Sequence, residues 1–214
     1  MAVAPLEPRV LSGTYVRLEP LTLAHLEPLC AVGLDAELWC WTLEEIRSVE
    51  EMRRYIEAAL AAQRQGSALP FVTIEQSSGA VVGSTRYGNI SLADGRVEIG
   101  WTWVARRWQR SAVNTEAKYL LLRHAFEVLG CGRVELKTDA LNERSRRAIE
   151  RLGAIQEGVL RRHMRTSRGR VRDTVYYSIL DEEWPHVKAR LEQRLEGGHT
   201  CTGPELSASV MHHG

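Results

Sequence analysis

Hydrophobic and polar positions along this chain follow two periods, and the switches between them lay out an order of elements. In TYVRLEPL (14–21), Tyr15 and Arg17 alternate with Val16 and Leu18, the two-residue period of a strand, and a helix follows from about Leu23 to Val32. Beyond LWCWT (38–42), the run SVEEMRRYIEAALAAQRQG places Met52, Ile56, Ala59/Leu60 and Gln63 at helical spacing. Ser48 and Glu51 form a capping-box pattern at its start, and Gly66 stops it. LPFVTIEQ (69–76), AVVGSTRYGNISL (80–92) and RVEIGWTWV (96–104) are separated by the turn signals SSG and ADG, which predicts an antiparallel meander.

A helix is predicted over about 114–129, with the stripe Ala117, Leu120/Leu121, His124/Ala125 and Val128 and a stop at Gly130. RVELKTD (133–139), the helix NERSRRAIERLG (142–153), the β-rich AIQEGVLRRHMR and VRDTVYYSIL, and a last helix WPHVKARLEQRL complete the order. Strand, helix, strand, helix, strand in the middle implies a parallel crossover between antiparallel flanks, hence a mixed α/β (α+β) domain.

With 214 residues and 44% hydrophobic content, one substantial core is expected, and the formal charge of +1 does not mark a general nucleic-acid or membrane-surface binder. Cys30, Cys40, Cys131 and Cys201 lack C-x-x-C spacing, which fits reduced thiols rather than a disulfide framework or structural zinc. MAVAPLEPRV has no apolar stretch of signal-peptide type, and no segment approaches the roughly 18 apolar residues of a membrane span. A cytoplasmic protein without metal or membrane partner is the expectation. GGHTCTGPELSASVMHHG (197–214) reads as a flexible, solvated tail, its His199, Cys201, His212 and His213 too irregularly spaced for a metal site.

The candidate chemistry begins at WQRSAVNTEA (108–117), where the third meander strand gives way to a helix. Helix N-termini carry unpaired N–H groups and the positive end of the dipole, so this corner is an anion-site candidate. Ser111 and Ala112 are small enough for close backbone approach, Asn114 or Thr115 is suited to cap, and Gln109 and Arg110 are donors at the rim. Neither G-x-x-x-x-G-K-[ST] nor G-x-G-x-x-G opening a helix is present, which excludes the P-loop and dinucleotide designs.

EIGWTW, WQRSAVNTEAK, LLLRHAFEVLG, RVELKTDALNERSRRAIERLGA, EGVLRRH and VRDTVYYSIL, in that order over about residues 12–195, resemble the GNAT acyltransferase superfamily, in particular its RimJ/RimL-like branch. The resemblance implies a central, mostly antiparallel mixed sheet with one parallel strand pair at the cofactor cleft, flanked by helices. It divides the chain into an extension (1–12), the acetyltransferase domain (13–196) and the tail (197–214). It further implies acetyl coenzyme A as acyl donor. The family corner Q/R-x-x-G-x-G/A, whose amides hold the donor's pyrophosphate, is matched by Gln109, Arg110, Ser111, Ala112, Val113 and Asn114, with Ala112 and Asn114 at the usual small-residue positions. Thr115 continues the corner, Trp103 and Val104 supply strand backbone beside the cofactor, and Arg147 is a further cofactor contact. The family's N-x-x-S is matched by Asn142, expected near the pantetheine amides although Asn is also an ordinary cap, and by Ser145, expected near the sulfur. Many members carry a tyrosine seven residues after the asparagine as general acid. Here that position is Ile149, which makes Ser145 the candidate proton donor, with water as its rival.

Glu98 shares a strand face with Gly100, and a carboxylate there is costly to bury unless paired or used. The resemblance implies that it accepts the proton of the attacking ammonium; an ion pair with one of the arginines is the structural alternative. Trp39, Trp41, Arg86 and Tyr87 are candidates for the acceptor side, and core packing is the other reading of the tryptophans. The acceptor would be a small-molecule or peptide amine, and a homodimer stays open. A rival of another class comes from the ten arginines between 144 and 172, a patch that could bind RNA or a ribosomal surface without catalysis. No aromatic RNA-binding motif accompanies them, so nucleic acid is not the expected partner.

Overall fold

The computed structural model describes residues 6–197. Its strands are β1 (Leu11–Ser12), β2 (Val16–Pro20), β3 (Leu69–Glu75), β4 (Val81–Ser91), β5 (Arg96–Val104), β6 (Arg133–Asp139), β7 (Ile155–Arg165) and β8 (Val171–Leu180). The α-helices are α1 (Leu26–Gly33), α2 (Val49–Arg64), α3 (Ala112–Arg123), α4 (Glu143–Leu152) and α5 (Trp184–Gly197). The strands form one sheet in the order β1-β2-β3-β4-β5-β6-β8-β7. Among the described residues only β5 and β6 pair in parallel; β8 returns antiparallel between β6 and β7, so the chain leaving α4 steps past one strand position before it pairs. The tail expected from 197 onward lies, apart from Gly197, outside the described residues, and β1 falls within the stretch expected as an N-terminal extension.

Two apolar clusters lie on opposite faces of the sheet. One joins Tyr87, Val97, Ile99, Val134, Leu136, Val175, Tyr177 and Ile179 to α3, α4 and α5; the other joins Val72, Ile74 and Trp103 to Trp39 and to α1 and α2. The α2 stripe is as the period requires: Met52, Tyr55, Ile56 and Ala59 are buried, Ser48 Oγ accepts from Glu51 N–H at 3.2 Å, and Glu51 caps Arg47 N–H at 2.6 Å. Fully sealed side chains such as Leu120, Leu121 and Leu122 each contribute on the order of 1.5–3 kcal/mol of burial.

α3 departs from its predicted outline. It begins two residues earlier than expected, with Ser111 as the cap, so Asn114 and Thr115 lie in its first turn. Its extension, residues 124–129, winds as a π-helix, and the wider turn rotates Val128 out of the 3.6-residue stripe to 50% exposure. Glu116, on the same helix, is buried because its carboxylate accepts N–H bonds from Thr14, Tyr15 and Val16 at 2.6–2.7 Å, tying the turn between β1 and β2 to α3. Among the described residues no helix is long and apolar enough to cross a membrane.

Candidate active site

The site starts where β5 and β6 part. Their parallel register runs Arg96↔Arg133, Val97↔Val134, Glu98↔Glu135 and then stops, although β5 continues to Val104 and β6 to Asp139. Past Glu98 the two strands therefore leave a wedge between them. On its other side β5 pairs with β4 through a bulge: Arg86 faces Gly100 and Ser84 faces Trp103, so Trp101 and Thr102 together oppose Thr85. Trp101 takes φ +49, a left-handed conformation uncommon outside glycine. The bulge swings its ring onto the face of Arg86 and over Gly88, where an added Cβ would overlap the ring.

Glu98 sits at the vertex of the wedge, 2% exposed. Its Oε2 accepts from Asn89 Nδ2 at 2.5 Å and pairs with Lys137 Nζ at 2.8 Å. Its Oε1 turns toward Gly100; a Cβ there would come within 2.8 Å of that oxygen, so glycine keeps it clear. The ion-pair partner is a lysine from β6 rather than an arginine. Lys137 lies 5.9 Å from the Trp101 ring and 5.7 Å from the Tyr176 ring.

Backbone of the β5 lip is oriented by the strand alternation. Ala105 N–H donates to Val82 O at 2.8 Å, which turns residues 103 and 105 toward β4 and Val104 toward the wedge. Val104 carbonyl is taken by Gln109 Nε2 at 2.8 Å, leaving the Val104 N–H as the donor on that lip. Gln109 also accepts from Arg144 Nη1 at 2.8 Å, so it braces the corner against α4. The corner bends at Arg110, φ +63, and Ser111 Oγ accepts from Val113 N–H at 3.3 Å. The other first-turn amides, those of Ser111, Ala112 and Asn114, have no carbonyl available to them within the helix and carry partial positive charge at its start.

Behind the wedge, Lys118 of α3 is buried with Nζ 2.5 Å from Thr102 Oγ1, and Thr102 Oγ1 is 2.8 Å from Thr85 Oγ1. Burial pulls the Lys118 amine down to about 7, with Glu98 opposing that shift. At the far end of β6, Asp139 is sealed, accepts from Leu141 N–H at 3.0 Å and pairs with Arg170. Asn142 caps α4: its Oδ1 accepts from Ser145 N–H at 3.1 Å, so its Nδ2 is the group left to donate. Ser145 is half-buried in that first turn.

The remaining expected residues separate. Trp41 is half-buried, with the Arg170 guanidinium 5.6 Å from its ring. Trp39 packs in the α1/α2 cluster against Tyr55 and Trp103, its Nε1 donating to Gly33 O at 2.7 Å. Tyr87 lies on the opposite face of the sheet, its hydroxyl donating to Leu121 O at 2.5 Å. Arg147 pairs with Glu143 at 2.6 Å and lines an open basic groove of about 760 Å³ with Arg151, Arg190 and Arg194. The arginines between 144 and 172 do not form one surface: Arg144 braces Gln109, Arg146 reaches Tyr177, Arg168 pairs with Glu45, Arg170 with Asp139, and Arg172 is buried. Among the described residues no group of three or more His, Cys, Asp or Glu side chains is placed to hold a metal ion.

This wedge, with a carboxylate at its vertex and a helix N-terminus beyond its lip, has the architecture of an acyl-donor cleft. Residues 16–155 match the acetyltransferase (GNAT) domain family, and the chain belongs to that family. It is an acyl-CoA-dependent acetyltransferase. A GCN5-related N-acetyltransferase from Brucella melitensis superposes with TM-score 0.84 at 34% identity, covering 91% of this chain and 88% of that one. Mycobacterium smegmatis RimJ in complex with CoA-disulfide superposes with TM-score 0.74 at 27% identity over 90% and 93% of the two chains. YdaF of Bacillus subtilis (strain 168), provisionally named a ribosomal N-acetyltransferase, is 34% identical over 110 residues, 51% of this chain and 59% of its own length.

Lys137, Asn89, Tyr55, Lys118 and Arg172 are the site neighbours that sequence reasoning did not single out. Lys137 and Asp139 share a strand face in RVELKTD, which was the available signal; which carboxylate Lys137 would meet depends on the β5/β6 register, and no local pattern carries that.

Proposed function

We propose that this protein transfers the acetyl group of acetyl coenzyme A to a primary amine by direct attack in a ternary complex, in the cytoplasm. The acceptor is a protein N-terminus, an amino acid or a small amine. The observation that carries the reading is the position of Glu98 Oε1, clear of protein partners, at the vertex of the wedge between β5 and β6. The donor supplies a thioester, an acyl group already activated toward amines. The amides of the corner, with Gln109 to Thr115 around them, hold its pyrophosphate; the β5 lip at Trp103 and Val104, with Asn142 Nδ2 and Arg147, holds the rest of the donor. The absence of glycine at Ala112 and Asn114 fits this role, because both lie in a first turn whose φ values are helical and need no glycine.

Glu98, paired with Lys137, takes the proton of the incoming ammonium at Oε1, directly or through water. Base catalysis of this kind contributes about 10² to 10⁴ in rate. A backbone N–H of the bulged segment Trp101 to Val104 polarises the carbonyl, and Ser145, or a water, relays the proton shed by the nitrogen of the tetrahedral adduct to the departing sulfur as the C–S bond breaks. Trp41, Arg86 and the exposed edge of Trp101 border the acceptor side. The ribosomal name of the YdaF relative favours protein N-termini among the acceptors. A non-catalytic RNA-binding role is not favoured, since Arg144, Arg146, Arg168 and Arg170 are engaged by other side chains and Arg172 is buried, which breaks up the 144–172 run as a binding surface. Thiol release from acetyl coenzyme A, followed across peptides, amino acids and polyamines, tests the proposal. Release that depends on an amine supports it; a protein that binds acetyl coenzyme A yet releases no thiol with any amine overturns it.

A further inference from the structure

Among the described residues, two buried guanidinium groups on the acceptor face have no salt-bridge partner. Arg86 of β4 is 6% exposed and Arg172 of β8 is 7% exposed. The Nε of each is sealed from solvent, and among the described residues no group accepts a hydrogen bond from it. Arg86 lies against two rings, its guanidinium carbon 5.0 Å from the centroids of both Tyr55 and Trp101. Burial opposes the Arg172 charge, while Asp139 and Glu98 favour it and Arg170 opposes it. Thr174, two residues along the same strand face, has a sealed Oγ1 that is likewise unpartnered.

The other charges here cancel: Lys137 pairs with Glu98, and Arg170 with Asp139. Two fixed cations are left over in a place where an unpaired charge is costly. An arginine fork matches a carboxylate in two parallel hydrogen bonds, a geometry that no neutral group reproduces. The donor's phosphates cannot be the missing anion if they sit at the start of α3, because Arg86 and Arg172 lie on the opposite face, beside Glu98 and Trp101. The space is also confined. Ser167 N–H donates to Leu43 O at 2.9 Å and Arg168 pairs with Glu45, joining the tip between β7 and β8 to the loop after Trp41.

We propose that Arg86 and Arg172 bind a carboxylate carried by the acceptor, so that the preferred substrate is a carboxylate-bearing primary amine. This rests on the reading of the wedge as the acetyl-transfer site. The test compares kcat/KM for acid and amide partners of the same shape in two sets: C-terminally amidated peptides beginning with Glu or Gln, and free amino acids such as glycine against their α-amides. Wild-type protein prefers the acid at least about tenfold in one set, which also identifies whether the carboxylate belongs to a peptide or a free amino acid. Arg172→Gln and Arg86→Gln bring that ratio close to one, and Arg172→Lys keeps part of it, with thermal melts and coenzyme A titration reporting that each variant is folded. Equal use of acid and amide in both sets by the wild type, or a preference that survives both glutamine substitutions, overturns the carboxylate assignment and leaves acetyl transfer standing. Absence of amine-dependent thiol release with every acceptor overturns the reading of the wedge itself.

Discussion

Glu98→Gln separates the two things a buried carboxylate at this vertex can do. The substitution keeps the volume and leaves an oxygen for Asn89 Nδ2, but it strips Lys137 of its ion pair at 2.8 Å. Lys137 has only 13% of its side chain exposed, and breaking a buried pair from one side costs about 3 kcal/mol. In a chain of 214 residues that corresponds to a fall in Tm of about 6–12 °C. Rings of Trp101 and Tyr176 near Lys137 Nζ hold the figure toward the lower end. Loss of the base lowers kcat by about 10² to 10⁴, with little change in affinity for acetyl coenzyme A. The double variant Glu98→Gln with Lys137→Met takes away the stranded cation, so it recovers most of the Tm and none of the kcat. Thermal melts and thiol-release kinetics on the three proteins decide the matter. If kcat returns along with stability in the double variant, or falls less than about tenfold in the single one, Glu98 is a structural anion and the base assignment is wrong.

Lys118 carries a pH signature. Its amine is pulled down to about 7 against 10.5 when free, so between those values the unfolded chain binds the extra proton and stability rises with pH. Lys118→Met flattens that rise and increases stability at neutral pH, read as the urea midpoint at about pH 7 and about pH 9.5; an unchanged slope contradicts the assignment. His124, held neutral by burial with its pKa near 4 against 6.5, works in the opposite window: stability falls as pH drops from 6.5 toward 4, and His124→Gln softens that fall in an acid titration. Glu116→Ala strands the amides of Thr14, Tyr15 and Val16, at a cost of roughly 3 kcal/mol or more, visible as a Tm loss of at least about 6 °C. Asn114→Asp puts a negative charge into the first turn of α3 and weakens coenzyme A at least about tenfold by calorimetry, while dephospho-coenzyme A weakens in parallel because the pyrophosphate is common to both.

The legible parts of the fold are those set by local period. The α2 stripe, the meander, Gly66 and Gly130 as stops, and the parallel crossover around α3 all follow from spacing that tertiary packing reinforces. The start of α3 is not legible locally because Ser111 competes with Asn114 and Thr115 as a cap, and the choice depends on the corner's left-handed Arg110. Val128 was misplaced because the π-turn breaks the period after Arg123. Glu98 was visible as an anomaly, a carboxylate in an apolar strand. Its partner was not, since Lys137 meets it only through the β5/β6 register. Arg172 looked like one arginine in a basic run; only the fold shows that it is buried and unpaired while its neighbours in sequence are exposed or matched.

The most direct test of direct transfer is the intact mass of the protein after mixing with acetyl coenzyme A, first alone and then with an acceptor amine. Direct attack in a ternary complex predicts an unmodified protein in both samples, with acetylated amine and free coenzyme A only in the second. A protein one acetyl group heavier in the first sample, discharged when the amine is added, would contradict the account and put a covalent acetyl-enzyme in its place.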